Sequence, residues 1–482
     1  MQEKSPFRQF FRYSREYANF VGFAHIFRMN RGKIVLFILG IILTLGAICL
    51  IFPEDGINVG KLHLNFPQLS DFLSENEDSS AVTEEITAID TVSLKNVGEI
   101  EALRSRLLAD KCAIAMPDSG LDALDRFFDA LEKSDSELVR IVYYGDSQLE
   151  EDRMSCTLRD SLQARFGGGG VGLLPAETKY TFRVSESAGG NLGKYTFYGE
   201  GSSRLSSKSY GPLCSMNRLE GSASFSISPS SRNTGKSRYF RTLSIFAGNT
   251  GSKVKASLNG MTDTLASGKD FGVLRFSLPD STEKVRLSIS GRADIYGISL
   301  DGESGVSVDN VALRGCSGTI FTAMNRKPFE QYFRNSGTKL IIMQFGGNTL
   351  TGARSSKACG TYASSIRRQL TYMKEAAPDA DILFIGPSDM ATRRGGALQS
   401  YPILPEFIDS LKQAAKDCGA AFWDMYSAMG GQNSMVRWAK SSPSLAGPDY
   451  IHFTPRGADK MAGILYKAIM DMYDFHELKK KK

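Results

Sequence analysis

Histidine is nearly missing from this chain. Its 482 residues hold only four: His25, His63, His452 and His476. No cluster with metal-ligand spacing is present, so neither a metal nor a cofactor is expected. Any reaction that needs an imidazole base has little to choose from. His25 precedes a long apolar run, His63 falls in a linker-like stretch, and His476 lies in a polar C-terminal tail. Only His452 has an aspartate three residues upstream, a predicted helix downstream and a folded domain around it. Cysteine is sparse too. The seven (Cys49, Cys112, Cys156, Cys214, Cys316, Cys359, Cys418) contain no Cys-x-x-Cys pair and no regular spacing, so they assign no disulfide framework. The glycine run at residues 167–170 is followed by no Gly-Lys-Ser/Thr and reads as a flexible turn near the active-site rim, not a phosphate loop.

Charge of one sign is absent from the body of the chain. The formal net charge is +6, but residues 1–33 alone carry +5, from Lys4, Arg8, Arg12, Arg15, Arg28, Arg31 and Lys33 against Glu3 and Glu16. The remainder has no basic field to recruit nucleic acid. The basic segment runs into residues 34–52, nineteen residues without a charge. At about 1.5 Å per residue a helix of that length crosses a hydrocarbon core of about 30 Å. Glu54 and Asp55 follow, so the positive-inside rule puts the N-terminus in the cytoplasm and the rest outside. The expectation is a single-pass membrane protein with an extracytoplasmic, periplasmic-type ectodomain.

What the sequence does have is a serine in a telling place. Ile141-Val142-Tyr143-Tyr144 is β-branched and aromatic, the composition of a buried strand, and it ends on Gly145-Asp146-Ser147. Residues 149–166 then read as a helix. A serine at such a turn sits at the rim of an α/β sheet, where backbone N–H groups can meet an anion. Roughly 300 residues later comes Asp449-Tyr450-Ile451-His452. Nucleophile, carboxylate and imidazole are the parts that activate a hydroxyl. A second buried strand, Leu340 to Phe345, ends on Gly346-Gly347-Asn348, and a third apolar run ends at Arg314-Gly315. Asn348 could aim its amide at an oxyanion and Gly315 its backbone N–H; taken alone, both read as turn residues.

In this order the four blocks resemble the signature of the SGNH (GDSL) hydrolases. The resemblance implies Ser147 as nucleophile, Asp449 and His452 as acid and base, and Ser147, Gly315 and Asn348 as oxyanion-hole donors. It covers residues 138–178 and 305–475. Thr349 stands where the third block usually has Asp, and Gln148 where the first usually has Leu. The implied fold is a flavodoxin-like, three-layer α/β hydrolase domain.

Elements alternate accordingly: strand 339–345, helix 358–376, strand 381–386, helix 404–417, strand 420–424 and helix 455–473, which argues a parallel sheet. Residues 178–304 break the pattern. They are rich in Ser, Gly and Thr, and runs such as Ser222-Ala223-Ser224-Phe225-Ser226-Ile227 alternate as strands do. The expected organisation is a cytoplasmic tail (1–33), a transmembrane helix (34–52), a linker (53–100), the hydrolase (101–177 and 305–475) and an inserted all-β jelly-roll (178–304). An insert at this place resembles the family branch that acts on O-acetylated peptidoglycan, where the inserted domain looks like a carbohydrate-binding module. The expected activity is removal of O-acetyl groups from a cell-envelope polysaccharide. Rival readings are a polysaccharide O-acetyltransferase using the same triad, an inactive glycan-binding protein, and a lipase. Expected partners are acetylated polysaccharide or peptidoglycan, the membrane, and a membrane acyltransferase. In the loop before Asp449, Trp438 reads as packing more readily than as a sugar platform. Residues 479–482 read as a solvated tail.

Overall fold

β-branched and aromatic side chains on successive residues suit a strand buried on both faces. In the computed structural model this is strand β1, Leu138–Gly145. Ile141 and Tyr143 point into one core, Val142 and Tyr144 into the other, as the two-residue period of a strand requires. The structure describes residues 57–59, 62–64, 98–117, 121–177, 183–199, 203–233 and 235–481. Residues 34–52 lie outside them. Among the described residues, no helix is long and apolar enough to cross a membrane. Inside the stretch read as a linker, Ile57–Val59 pairs antiparallel with Leu62–Leu64.

β1 is joined by β2 (Gly305–Ala312), β3 (Thr338–Gln344), β4 (Asp381–Ile385) and β5 (Ala421–Trp423). All pairings are parallel, in the order β2-β1-β3-β4-β5, the flavodoxin-like doubly wound order. Helices α1 (Asp125–Leu131), α2 (Ser155–Phe166) and α6 (Pro455–Lys480) cover one face through Phe127, Leu162 and Leu465. Helices α3 (Lys327–Ser336), α4 (Ser356–Ala376) and α5 (Leu404–Asp417) cover the other through Phe333, Leu370 and Leu411. Strand order reverses between β1 and β3, so the crevice for a ligand opens above their C-terminal ends.

The polar tail expected at the C-terminus is instead the last turns of α6. His476 is buried against Asp125 and Asp129, and Lys479 and Lys480 pair with Asp122, Asp125, Asp129 and Glu132. The acidic side of the α1 region, some 350 residues away in sequence, turns a solvated end into a docked one.

The β-rich region is not two separate sheets. Eight strands, from Gly172–Leu174 to Val285–Asp301, form one continuous antiparallel sheet, which starts six residues before the expected boundary. Two long strands, Ser215–Pro229 and Val285–Asp301, run through both halves of it. They bend where Gly221 faces Gly291, at φ 109° and 129°. A side chain at Gly291 would meet Lys253 O at 2.7 Å, so the bend needs glycine. Leu219, Phe225, Ile289 and Ile298 share the core inside it.

A buried ion cluster joins this sheet to the parallel one. Arg140 of β1 donates to Asp301 at 2.6 Å, Asp309 at 2.5 Å, Ser307 Oγ at 3.1 Å and Ser336 O at 3.1 Å. Asp309 also accepts from Tyr332 Oη at 2.5 Å and from the Leu173 N–H at 2.8 Å. Removing one partner of such a pair leaves the others charged and unpaired, a loss of about 3–5 kcal/mol. Arg140→Met is therefore expected to lower the urea-unfolding free energy by about that much; a change under about 1 kcal/mol would show that the cluster contributes little.

Candidate active site

Ser147 leaves β1 on a single turn. Asp146 caps that turn, its carboxylate accepting the Gln148 N–H at 3.0 Å. The continuous helix expected over residues 149–166 is broken: Glu151 and Asp152 take φ of 59° and 62°, and α2 begins only at Ser155. A left-handed residue costs about 1–2 kcal/mol. Here the buried Asp152 offsets that cost by accepting from Arg159 at 2.6 and 3.0 Å and from Ser155 Oγ at 2.5 Å.

The loop before α6 brings the imidazole over. Ser147 Oγ lies 2.8 Å from His452 Nε2, and His452 Nδ1 lies 2.7 Å from Asp449 Oδ2. Asp449 Oδ1 accepts the N–H groups of Ile451 and His452 at 3.0 and 3.1 Å. Partial burial pushes the Asp449 carboxyl up, but the bonds from the imidazole and the two amides outweigh it and hold it below the usual carboxylate range. An ionised carboxylate only accepts, so Nδ1 carries the ring proton and Nε2 is left to accept from Ser147. Three residues of three types, brought together from opposite ends of the domain, can deprotonate a hydroxyl.

The residue that departs from the expected signature secures this contact. Gln148 donates through Nε2 to Ile451 O at 2.7 Å and accepts the Phe453 N–H at 3.3 Å through Oε1. A leucine there could do neither. Its polarity in a block that usually carries Leu was the signal in the sequence.

The oxyanion candidates differ among themselves. Ser147 is the first residue of its turn, so its N–H has no partner within it. Gly315, at φ 76°, has no acceptor for its N–H among the described residues. Asn348 sits beside the nucleophile's turn, yet Nδ2 already donates to Asp146 Oδ2 at 3.1 Å and Cys316 O at 3.0 Å. An oxyanion would engage Asn348 only by sharing or replacing one of these bonds.

Two cavities meet at His452. One, of about 180 Å³, is lined by Phe345, Asn348, Pro387, Met390 and Ile451. The other, of about 1450 Å³, runs between the rim and the β-rich region, past Glu150, Tyr198, Arg204, Arg314 and Gly315. Residues 167–170 are not at this rim. They are bound by backbone hydrogen bonds to Val306, Tyr239 and Gly302, and border a separate cavity of about 600 Å³. Trp438 packs on Phe453, ring centroids 5.5 Å apart. Among the described residues Asp129, Glu132 and His476 could gather round a cation, but Lys480 already bridges both carboxylates.

A doubly wound α/β domain with this serine, imidazole and carboxylate has the layout of a serine hydrolase. Residues 289–460 match the GDSL-like Lipase/Acylhydrolase family. No curated protein matches. Among solved structures, a peptidoglycan O-acetylesterase superposes with a TM-score of 0.60 at 21% identity, covering 75% of this chain and 99% of that one. A family two carbohydrate esterase from Clostridium thermocellum, in complex with cellohexaose, gives a TM-score of 0.26 at 11% identity over 54% of this chain and 95% of its own. A putative GDSL-like lipase from Parabacteroides merdae gives 0.27 at 19% identity over 34% and 74%. Scores that low carry no inference. Over residues 289–460 the chain is similar to GDSL-like lipases and acylhydrolases, and the protein is an esterase-type hydrolase.

Burial pushes the Asp146 carboxyl up to about 6, against the Gln148 and Asn348 hydrogen bonds and the nearby His452. The folded state thus binds this proton more tightly than the unfolded chain. Its stabilising contribution is complete below about pH 4 and is lost as pH rises through about 6. Asp146→Asn removes the titration. The stability of the native protein minus that of the variant should therefore fall by about 2–3 kcal/mol between pH 4 and pH 7 in urea titrations. A pH-independent difference would rule out the shifted carboxyl.

Proposed function

We propose that this protein is a carbohydrate O-acetylesterase that removes acetyl groups from a cell-envelope polysaccharide such as peptidoglycan. The observation that carries the reading is the pair of contacts at 2.8 and 2.7 Å through His452, set where a small cavity meets a large one. An acetyl group suits the small cavity and a sugar chain the large one. The likeness to a peptidoglycan O-acetylesterase supports the choice of glycan.

The chemistry is two-step acyl transfer. Ser147 Oγ attacks the ester carbonyl carbon as its proton passes to His452 Nε2, and Asp449 stabilises the imidazolium. The tetrahedral oxyanion is met by the N–H groups of Ser147 and Gly315, with Asn348 as the side-chain donor. The C–O bond to the sugar breaks, the sugar oxygen takes the proton from His452, and acetyl-Ser147 remains. Water, deprotonated by the same imidazole, then releases acetate. Ser147→Ala is expected to abolish release of acetate from O-acetylated peptidoglycan with the circular dichroism spectrum unchanged. The native protein should favour acetyl over octanoyl esters. A preference for octanoyl would turn the reading to a lipase. Acetylated sugar formed in place of acetate would turn it to a transferase.

The same reading has residues 34–52 anchoring the protein, with the hydrolase outside the cytoplasm. The full chain should then stay with membranes through a high-salt wash and leave only with detergent. Release by salt alone would defeat the anchor.

A further inference from the structure

The β-rich region reaches the catalytic centre itself. Its strand Val184–Thr196 runs to the rim, and two residues on, past Phe197, Tyr198 enters the large cleft. The turn is pinned from below. The Phe197 N–H donates to Cys214 O at 3.0 Å, and its ring stands edge-on to the buried Tyr210 at 5.4 Å. The Tyr210 hydroxyl in turn accepts the Leu205 N–H at 2.5 Å. Above, the Arg204 guanidinium lies over the Phe197 ring at 5.6 Å. Tyr198 is thereby held with its hydroxyl 3.5 Å from where a Cβ on Gly315 would sit. Tyr198 lines the same cleft as Asp449 and His452 and takes no part in the small cavity. Among the described residues its hydroxyl has no hydrogen-bond partner. Partial burial and the neighbouring Cys316 push the phenol's pKa up, so it stays a donor.

We propose that Tyr198 is a substrate-binding residue supplied by the β-rich region: its hydroxyl donates to an oxygen of the acetylated sugar and holds the ester over Gly315 and Ser147. This rests on the esterase reading above. On that reading the acyl group takes the smaller cavity on the Asn348 side, so the group facing Tyr198 is the sugar and not the acetyl methyl. A phenol contacting the sugar contributes binding energy away from the reacting carbon, which can be used to orient the ester. The β-rich region is then a wall of the active site, not a detachable glycan-binding module.

The test compares two substrates on the full chain. Tyr198→Phe removes only the hydroxyl. On O-acetylated peptidoglycan fragments it should lower kcat/KM about tenfold, as expected for one hydrogen bond. On p-nitrophenyl acetate, which has no sugar, the variant should match the native protein within about twofold. Equal losses on both substrates would make Tyr198 an oxyanion donor or a structural residue and overturn the proposal. So would no loss on either. An unchanged melting temperature of the variant separates binding from folding. Native protein that hydrolyses the aryl acetate but not the glycan would defeat the substrate reading itself, a different outcome from a native glycan esterase indifferent to Tyr198.

Discussion

A guanidinium without water must have its charge answered on every side, and Arg140 is answered by two aspartates from two different sheets. That requirement fixes much of the molecule. Asp309 lies on β2 and Asp301 ends the last strand of the β-rich sheet, so neither sheet can shift without leaving a buried charge unpaired. The Leu173 N–H, on the first strand of the β-rich sheet, is bound to the same Asp309. The consequence reaches Ser147. Asn310, next to Asp309, donates to Leu149 O at 3.2 Å and so holds the turn that carries Ser147. The large cleft is the gap between two bodies whose spacing this cluster sets.

Catalytic geometry needs a second tie, because Asp449 and His452 are only partly buried: 46% and 33% of their side-chain surfaces are exposed. Packing cannot hold such a loop. Gln148 does, by bonding the backbone on either side of His452 from the residue after the nucleophile. Serine and imidazole are therefore positioned by one short segment, and an error in that segment displaces both together. Mutual distance is what proton transfer depends on.

The parts of this arrangement that showed in the sequence are those set by local rules. Helix α5 begins and ends where its pattern says, with Pro405 in the first turn and Leu404, Phe407, Ile408 and Leu411 on one face. Ser147 stood out at a strand end, and Asp449 and His452 because a chain with four histidines offers few substitutes. What did not show depends on partners far away in the chain. The break at Glu151 and Asp152 needs Arg159 to be seen as a partner rather than a surface residue. The docked C-terminus needs Asp125 and Asp129. The single bent sheet needs Gly221 to face Gly291, a register that alternation alone does not determine. Tyr198 read as one aromatic among many; only the fold of the β-rich region brings it beside Gly315.

The site also contains a charge that works against its own chemistry. Asp146 is buried, has no cationic side chain bonded to it among the described residues, and adjoins the centre where the proposed chemistry develops a second negative charge. In a low-dielectric surrounding, like charges a few ångströms apart repel strongly. The Asn348 amide is bonded to Asp146, so its dipole is turned toward the carboxylate and offsets part of that repulsion. On the proposed chemistry, what remains for the oxyanion is chiefly the N–H groups of Ser147 and Gly315, which have no acceptor among the described residues. These are backbone groups fixed by the ends of β1 and β2, and they need no reorganisation when charge appears. The Asn348 amide thus reaches an oxyanion only by sharing its bond to Asp146 or to Cys316 O.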